Sequence, residues 1–409
     1  MSKLLIEDGR LFDPGLGLDE VGHVLIEDDR IISVGPVVAV SETQGVELVE
    51  AEGLWVLPGL MDLHVHLREP GQEHRETIAS GTLAAAAGGF AIVVAEPNTT
   101  PPRDTAARVE EALALFSGHG VVTVLQKCCI TVGQQGRQVA DMIALAQAGA
   151  AAASDDGFSV RDPEVMAAAF VAARVASLPL TLHVDGPEMV ERDIAMSDAY
   201  DWPVHFSHVS LAEEVELIAK AQERGLRATG EATPHHLALC AEEAPRDDAN
   251  FKMNPPLRSA RDREALRKAL AAGVISVIAS DHAPHSPVEK AAPYEEAPFG
   301  VIGLETTVGA IWTELVHKGL LGAAAAVRAM TLGPAGVLKL EAPALKEGAP
   351  ANITLLDPYH EWVVDAERFY SQGRNCPFAG WRLKGKAVAT IASGRLVFWE
   401  GMIMDPGSP

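Results

Sequence analysis

The sequence contains few aromatic and few cysteine residues. The first shortage excludes a core built of aromatic side chains, and the second argues against a fold held by disulfides. Aromatic residues make up 5% of the 409 residues, so aliphatic side chains must fill the core. The cysteines include an adjacent pair and have no CxxC spacing, which argues against a disulfide framework. They are Cys128, Cys129, Cys240 and Cys376. We expect free thiols in a reducing cytoplasm.

Positive charge and long apolar runs are also scarce. Lys and Arg number 33 against 56 Asp and Glu, and the formal net charge is −23. Nucleic acids and anionic membranes bind basic surfaces, so we expect neither as a partner. No apolar run approaches the roughly 20 residues of a membrane span, and Glu7 and Asp8 come too early for a secretory signal. A small anionic substrate would therefore need a local arginine or a metal.

Two patterns divide the chain. Residues 1–54 and 344–409 are short β-type runs separated by turn residues, whereas residues 55–343 alternate apolar runs with Ala-rich stretches of helical length. The middle pattern predicts an α/β fold of the (β/α)8, or TIM, barrel type, whose first strand is the run from Val56 to Val65. The two end segments are expected to form one small β-sandwich domain. An open doubly wound sheet is the alternative, but no Gly-rich phosphate loop follows the first strand.

Histidine and aspartate stand at the ends of several predicted barrel strands. His64 and His66 close the first strand, and alternate side chains of a strand point the same way, which suits zinc. Alone this pair is a weak signal, because two hydrogen-bonded core histidines are the commoner explanation. Strand ends of a barrel converge on one catalytic face. Further candidates at such ends are Asp155 or Asp156, His183, His235 and Asp281.

Longer motifs resemble those of the dihydroorotase family, in the amidohydrolase superfamily. They are Asp62 to Arg68, Glu96 to Thr99, Ser154 to Gly157, Thr233 to Leu237, Lys252 to Arg258 and Ser280 to His285. The resemblance extends over nearly the whole chain, and these motifs are far more specific than the histidine pair. They are similar to the bacterial form in which an aspartate bridges two zinc ions.

The resemblance implies two Zn²⁺ ions per chain and a ligand for each position. It implies His64, His66 and Asp281 on one metal, His183 and His235 on the other, and Asp156 as the bridge, with Asp155 as its rival. Many relatives bridge their metals with a carbamylated lysine, but Lys127 lies on a different predicted strand. His205 and His208 are expected not to be ligands.

The resemblance also implies a reaction, the reversible cyclisation of N-carbamoyl-L-aspartate to L-dihydroorotate in de novo pyrimidine (UMP) biosynthesis. A metal-activated hydroxide attacks the ring amide, and Asp281 acts as the general acid and base. The implied substrate contacts are His66, Arg68, Asn98 and His285, with Asn254, Phe299 and Gly300 at the ring. The Arg68 guanidinium is the natural partner of a carboxylate.

Two other functions remain open. A hydantoinase or allantoinase would keep the histidine pair but favours a bridging lysine over the Asp-Asp-Gly motif. A non-catalytic scaffold for aspartate carbamoyltransferase would have lost ligands that this chain retains. A complex with that transferase beside catalysis, and a homodimer, are further expectations. Residues 287–298 are expected to form a surface loop, with a mobile lid as the alternative.

Overall fold

The computed structural model describes residues 3–38, 45–245 and 247–404. Five strands come first, separated by turns as the sequence predicts. They are β1 (Lys3–Asp13), β2 (Leu18–Glu27), β3 (Arg30–Gly35), β4 (Val46–Glu50) and β5 (Trp55–Pro58). The turn between β2 and β3 places Asp28 at φ 53°, a left-handed conformation that Asp tolerates.

Eight parallel strands then form a nearly closed barrel. They are β6 (Leu60–Val65), β7 (Phe90–Ala95), β8 (Thr123–Cys128), β9 (Ala152–Ala153), β10 (Leu180–Leu182), β11 (Val204–Phe206), β12 (Ala228–Ala232) and β13 (Val277–Ile278). Each pairs with its neighbour in chain order. A parallel bridge between Val65 and His282 joins the first strand to the segment after the last. The predicted barrel is confirmed.

Helices separate the barrel strands and cover them. They are α1 (Ile78–Gly88), α2 (Ala106–His119), α3 (Met142–Gln147), α4 (Pro163–Ala176), α5 (Pro187–Tyr200), α6 (Ala212–Glu223), α7 (Pro234–Ala238), α8 (Ala260–Ala272), α9 (Pro287–Lys290), α10 (Thr307–Ile311), α11 (Ala323–Ala329) and α12 (Leu332–Leu338). Side-chain caps start several of them; Thr77, Asp162 and Ser259 each accept a backbone N–H of the first turn. In the described residues no helix combines the length and apolar character of a membrane span.

Four strands after the barrel complete the small β domain. They are β14 (Ile353–Val363), β15 (Arg382–Ala392), β16 (Arg395–Trp399) and β17 (Met402–Ile403). The mixed sheet runs β17-β16-β15-β14-β5-β1-β2-β3, and β4 pairs with β1. Side chains from both ends of the chain, such as Ile6, Val24, Leu355 and Ile391, share one apolar core. A small β domain built from both termini is thus confirmed.

The apolar run from Val56 to Val65 is two strands rather than one. Its first part, β5, pairs with β1 and β14 in the mixed sheet, and only β6 belongs to the barrel. Gly59 lies at the junction, where a Cβ would come within 2.8 Å of the Asn352 backbone. The chain therefore passes from one domain to the other where no side chain fits.

Candidate metal centre

The predicted ligands lie at the carboxyl ends of the barrel strands. Two groups of His and carboxylate atoms, each within 4.8 Å of one another, are found among the described residues. One consists of His64, His66 and Asp156, and the other of Asp156, His183 and His208. All five side chains are buried. Because Asp156 belongs to both groups, it holds the position of a bridging carboxylate.

The carboxylate of Asp281 lies next to the first group, beside both of its histidines. His64 Nε2 lies 3.4 Å from Asp156 Oδ1 and 3.6 Å from Asp281 Oδ1. His66 Nε2 lies 3.4 Å from Asp156 Oδ2 and 3.2 Å from Asp281 Oδ1. His64 Nε2 is buried and has no hydrogen-bond partner in the described part of the chain. A buried, unsatisfied imidazole nitrogen facing two carboxylates suits a metal ligand.

The second group contains a residue that the sequence reasoning set aside. Asp156 Oδ1 lies 3.2 Å from His183 Nδ1 and 3.3 Å from His208 Nε2. His235 belongs to neither group, although its ring is buried and its Nε2 is unpartnered among the described residues. The position of His208 in the sequence could have indicated a ligand, because His208 follows strand β11 just as His183 follows strand β10.

The two adjacent aspartates have different surroundings. Asp155 accepts hydrogen bonds from the backbone N–H groups of Ile130 (2.8 Å) and Thr131 (3.1 Å), and from the Thr131 hydroxyl. Burial raises the pKa of Asp155 to about 6. Its side chain thus holds the loop after β8, whereas Asp156 faces the histidines.

A second layer of side chains orients the histidine rings. Glu231 accepts from His64 Nδ1 at 2.7 Å and from His205 Nε2 at 3.1 Å. Asn98 Oδ1 accepts from His66 Nδ1 at 3.0 Å. A proton held on Nδ1 leaves Nε2 of both rings free to bind a metal. Glu231 was not among the predicted site residues. The one feature that could have indicated it is a charged side chain within the apolar run that forms β12.

The electrostatics of the centre favour a cation. Burial lowers the pKa of His64, but the carboxylates of Glu96, Asp156 and Glu231 outweigh it and raise that pKa well above its ordinary value. Burial raises the pKa of Asp156, yet His64 and its neighbouring histidines bring it well below its ordinary range. Lys127 pairs with Glu96 and offsets part of the negative charge. Nitrogen and oxygen donors around a negative cavity fit a divalent metal such as zinc.

A buried arginine lies beside the centre. Arg68 is 8% exposed, and its Nε donates to the Pro284 carbonyl at 3.1 Å. In the described ranges no carboxylate forms an ion pair with it, and burial lowers its pKa to about 10. His285 lies 3.4 Å from Arg68 Nη2, and burial and Arg68 lower the pKa of His285 to about 3. This corner can hold an anionic group.

The remaining predicted contacts lie close to the ligand groups or to His285. Asn254 Nδ2 donates to His183 Nε2 at 3.1 Å, next to the second group. The Phe299 carbonyl accepts from His285 Nε2 at 2.7 Å, and the Phe299 ring is 56% exposed. The N–H of Gly300 donates to the Lys252 carbonyl. The structure therefore brings all the predicted substrate contacts to one face of the barrel.

The segment 287–298 is held at several points. Arg75 Nη2 lies 2.7 Å from Glu289 Oε1. Lys290 Nζ donates to the Ala249 and Pro298 carbonyls, and Lys252 Nζ donates to the Tyr294 carbonyl. These bonds tie the segment to the loop before α8.

Comparison with known proteins identifies the family of this chain. The amidohydrolase family matches residues 55–397. A dihydroorotase of Anaeromyxobacter dehalogenans (strain 2CP-1) is 42% identical over 97% of this chain and 98% of its own length. The dihydroorotase of Pelotomaculum thermopropionicum is 43% identical over 98% of this chain and 100% of its own length.

Solved structures with a similar fold include two cyclic-amide enzymes. The L-hydantoinase of Arthrobacter aurescens has a TM-score of 0.89 at 22% identity, covering 99% of this chain and 98% of that one. The dihydropyrimidinase of Brevibacillus agri has a TM-score of 0.85 at 21% identity, with 98% and 96% covered. At such identity the likeness concerns the fold alone. On its sequence relatives, this chain belongs to the amidohydrolase family and, within it, to the dihydroorotases.

Proposed function

We propose that this cyclic amide hydrolase is a zinc-dependent dihydroorotase, which interconverts N-carbamoyl-L-aspartate and L-dihydroorotate in pyrimidine biosynthesis. The observation that carries the proposal is Asp156, which lies between two groups of buried histidines in a chain 42% identical to a dihydroorotase. A cyclic amide with a free carboxylate matches a metal centre beside a buried arginine that forms no ion pair with the described residues.

We assign the metal ligands from the distances between side chains. His64, His66 and Asp281 would hold one metal, His183 and His208 the other, and Asp156 both. His208 thus replaces His235 in the ligand set expected from the family. When bound, the metals would polarise the ring carbonyl and lower the pKa of a water molecule towards neutrality.

Asp281 is positioned to carry the proton. Burial raises its pKa, but His64 and His66 lower it to about 2, so the carboxylate is ionised at neutral pH. In ring opening it would accept the proton of the attacking water and pass it to the leaving ring nitrogen. In cyclisation the same group works in reverse. The Asp62 carboxylate accepts the N–H of Ser280 at 3.1 Å and so holds the backbone next to Asp281.

Arg68 would bind the substrate carboxylate, with Asn98 and His285 beside it. Because the pKa of His285 is lowered to about 3, its ring is neutral and adds no second positive charge. Asn254 and the backbone of Phe299 and Gly300 would then face the ring of the substrate. A planar guanidinium fixes a carboxylate with two parallel hydrogen bonds, which orients the amide towards the centre.

The test is substrate choice. Zinc-loaded protein should open L-dihydroorotate, measured as loss of ultraviolet absorbance, and should leave hydantoin and allantoin intact. Arg68→Gln should raise KM for dihydroorotate by about tenfold or more because the carboxylate loses a charged partner. Faster turnover of hydantoin than of dihydroorotate would contradict the proposal and favour a hydantoinase.

Three expectations about the protein's surroundings belong to the same proposal. We propose a cytoplasmic homodimer that also associates with aspartate carbamoyltransferase, since the transferase makes the N-carbamoyl-L-aspartate that this reaction uses. Co-elution of the two purified proteins in size-exclusion chromatography would support the complex. Separate peaks at micromolar concentration would contradict it.

A further inference from the structure

A chain of buried polar groups leads from the metal centre to the opposite end of the barrel. Glu231 accepts from His64 Nδ1 on one side and from His205 Nε2 on the other. His205 Nδ1 lies 2.9 Å from the Thr229 hydroxyl. His205 and Thr229 in turn line a cavity of about 520 Å³. The hydrogen bonds therefore connect a metal ligand to a second cavity.

We call this second cavity the base cavity. It lies between the first residues of strands β10 to β12 and helix α12. Its walls include Leu180, Val204, Thr229, Ser276, Gly336 and Val337. Leu180 and Val204 begin the strands whose carboxyl ends lead to His183 and His208. The base cavity is thus at the other end of the barrel from the metal centre and is no part of the substrate entrance.

The size and walls of the base cavity suit a small organic molecule. Small-molecule sites in proteins are mostly apolar clefts of about 300 to 1,000 Å³ with a few polar groups. Six of the thirteen lining residues here are aliphatic or proline, and Leu332 at the rim is 38% exposed. A Cβ at position 336 would meet no atom of the described chain within 4 Å, so the cavity is open above Gly336.

The charge of the rim selects for an anion. Apart from His205, the charged residues among the described lining are both cations, Arg227 and Lys339. Arg227 bonds to Asp201 only through Nη2, at 2.8 Å, in the described ranges. Lys339 lies 3.6 Å above the Trp202 ring and has no ion pair within the same ranges. No acid is among the described lining residues, so the rim is locally positive in a chain of net charge −23, although Arg227 is paired with Asp201 outside the lining.

We propose that the base cavity binds an organic anion with an apolar body, and that its occupancy acts on the metal centre through His205 and Glu231. The apolar part would contact the aliphatic walls, and the anionic group would lie between Arg227 and Lys339 at the rim. An occupant that displaces Thr229 or His205 changes the hydrogen bond to Glu231, which positions His64. The binding stands on its own, whereas the coupling rests on the proposed function.

The binding test uses a fluorescent anion and its uncharged counterpart. The probes are 8-anilinonaphthalene-1-sulfonate and N-phenyl-1-naphthylamine, which differ only in the sulfonate. We expect Arg227→Gln with Lys339→Gln to weaken binding of the sulfonate by about tenfold and to leave the neutral probe nearly unchanged. Gly336→Leu fills the open space and should weaken both probes.

A matched pair of charges serves as the control. Lys220→Gln with Arg224→Gln removes two exposed cations from the groove between α5 and α6, which also contains Glu191 and Asp198. This variant should bind both probes as the unmodified protein does. Sulfonate binding that survives both Gly336→Leu and the Arg227/Lys339 variant would overturn the site, and an equal loss in the control would overturn its specificity.

The coupling has a separate readout. At saturating sulfonate probe, kcat or KM for L-dihydroorotate should change in the unmodified protein and stay constant in Gly336→Leu. An equal effect in both proteins, or no effect in either while the probe binds, would overturn the coupling. Inactivity of the unmodified protein without probe would instead count against the proposed function, and the binding data would remain interpretable.

Discussion

At the scale of single residues, His208 and His235 have similar sequence settings and different surroundings. Both are buried and follow neighbouring strands of the barrel. His208 has φ 38°, and its Nε2 lies beside Asp156. His235 instead sits in the first turn of α7, which Thr233 caps. A threonine cap followed by proline starts a helix there, and His235 belongs to neither group of ligand atoms among the described residues.

This difference between His208 and His235 predicts that replacing each in turn will have different effects on the number of zinc ions bound per chain. His208→Asn should lower the bound zinc from two ions per chain towards one, and should lower kcat by about 10²-fold or more, because the second metal loses a ligand. His235→Asn is the control and should keep both metals. Elemental analysis after dialysis measures the count. Loss of zinc in His235→Asn with retention in His208→Asn would restore the family-based assignment.

Glu231 supports a second prediction at this scale. Glu231→Gln keeps the shape but replaces the charged acceptor of the His64 and His205 protons. Zinc affinity should fall by about 10- to 100-fold, as for other groups that orient metal ligands. Competition with a fluorescent chelator measures it. The control is Glu213→Gln, an acid in the first turn of α6, which should leave the affinity unchanged.

Some site residues could be predicted from the sequence and others could not. His64 and His66 follow from strand alternation, and Asp281 from its place at a strand end. Glu231 acts on a residue 167 positions away, across the barrel interior. No local sequence pattern predicts the contact between Glu231 and His64, because it forms only when the eight strands close into a barrel. The same holds for the buried pair of Glu96 and Lys127.

At the scale of elements, Glu305 fastens the segment before β15 to the barrel. Its carboxylate accepts the N–H groups of Tyr370 at 3.2 Å and Ser371 at 3.1 Å. The neighbouring Glu76 accepts from the Ser371 hydroxyl and from the Gln372 N–H. Burial raises the pKa of Glu305 from 4.5 to about 8, so the folded chain keeps its proton at neutral pH.

The raised pKa of Glu305 predicts a pH-dependent stability. Between its unfolded value of 4.5 and about 8 the folded state binds the proton that the unfolded state loses. The free energy of unfolding should therefore fall as pH rises through this window, by on the order of 3 kcal/mol between pH 5 and 8. Glu305→Gln should remove that part of the decline. Urea unfolding of both proteins at the two pH values measures it, and parallel declines would contradict the account.

The hairpin turn between β15 and β16 makes another prediction. Gly394 has φ 78°, and a Cβ there would lie 1.7 Å from the Asp28 carbonyl oxygen. Gly394→Ala should destabilise the protein by about 2 to 4 kcal/mol, because it separates the two terminal segments of the mixed sheet. Gly401 has φ 88°, and a Cβ there would have no atom of the described residues within 4 Å. Gly401→Ala should cost only about 1 kcal/mol, and equal losses by thermal unfolding would contradict the contact.

At the scale of the whole molecule, the alternation of apolar runs and helices was enough to predict the barrel. The two-ended β domain also followed, since both terminal segments share a turn-rich texture. The break between β5 and β6 could not be predicted, because the apolar run continues across Gly59 and is buried on both sides of it. An apolar run predicts that a segment is buried. It does not indicate whether the segment joins the core of the barrel or that of the small β domain.

The whole fold also explains why the site and the base cavity can communicate. Parallel strands place His183 and His208 at one end of the barrel and the walls of the base cavity at the other. The barrel interior between them contains Glu231 and His205, which are fully buried and hydrogen-bonded to each other. A change at either end is therefore transmitted over few bonds.

The most direct measurement of the central claim is a zinc titration. Metal-depleted protein would be titrated with Zn²⁺ while ring opening of L-dihydroorotate is followed by ultraviolet absorbance. The account predicts no turnover without metal and a rise in rate that levels off at two Zn²⁺ per chain, since Asp156 joins two groups of ligands. Full turnover without metal, or none at any zinc concentration, would contradict it.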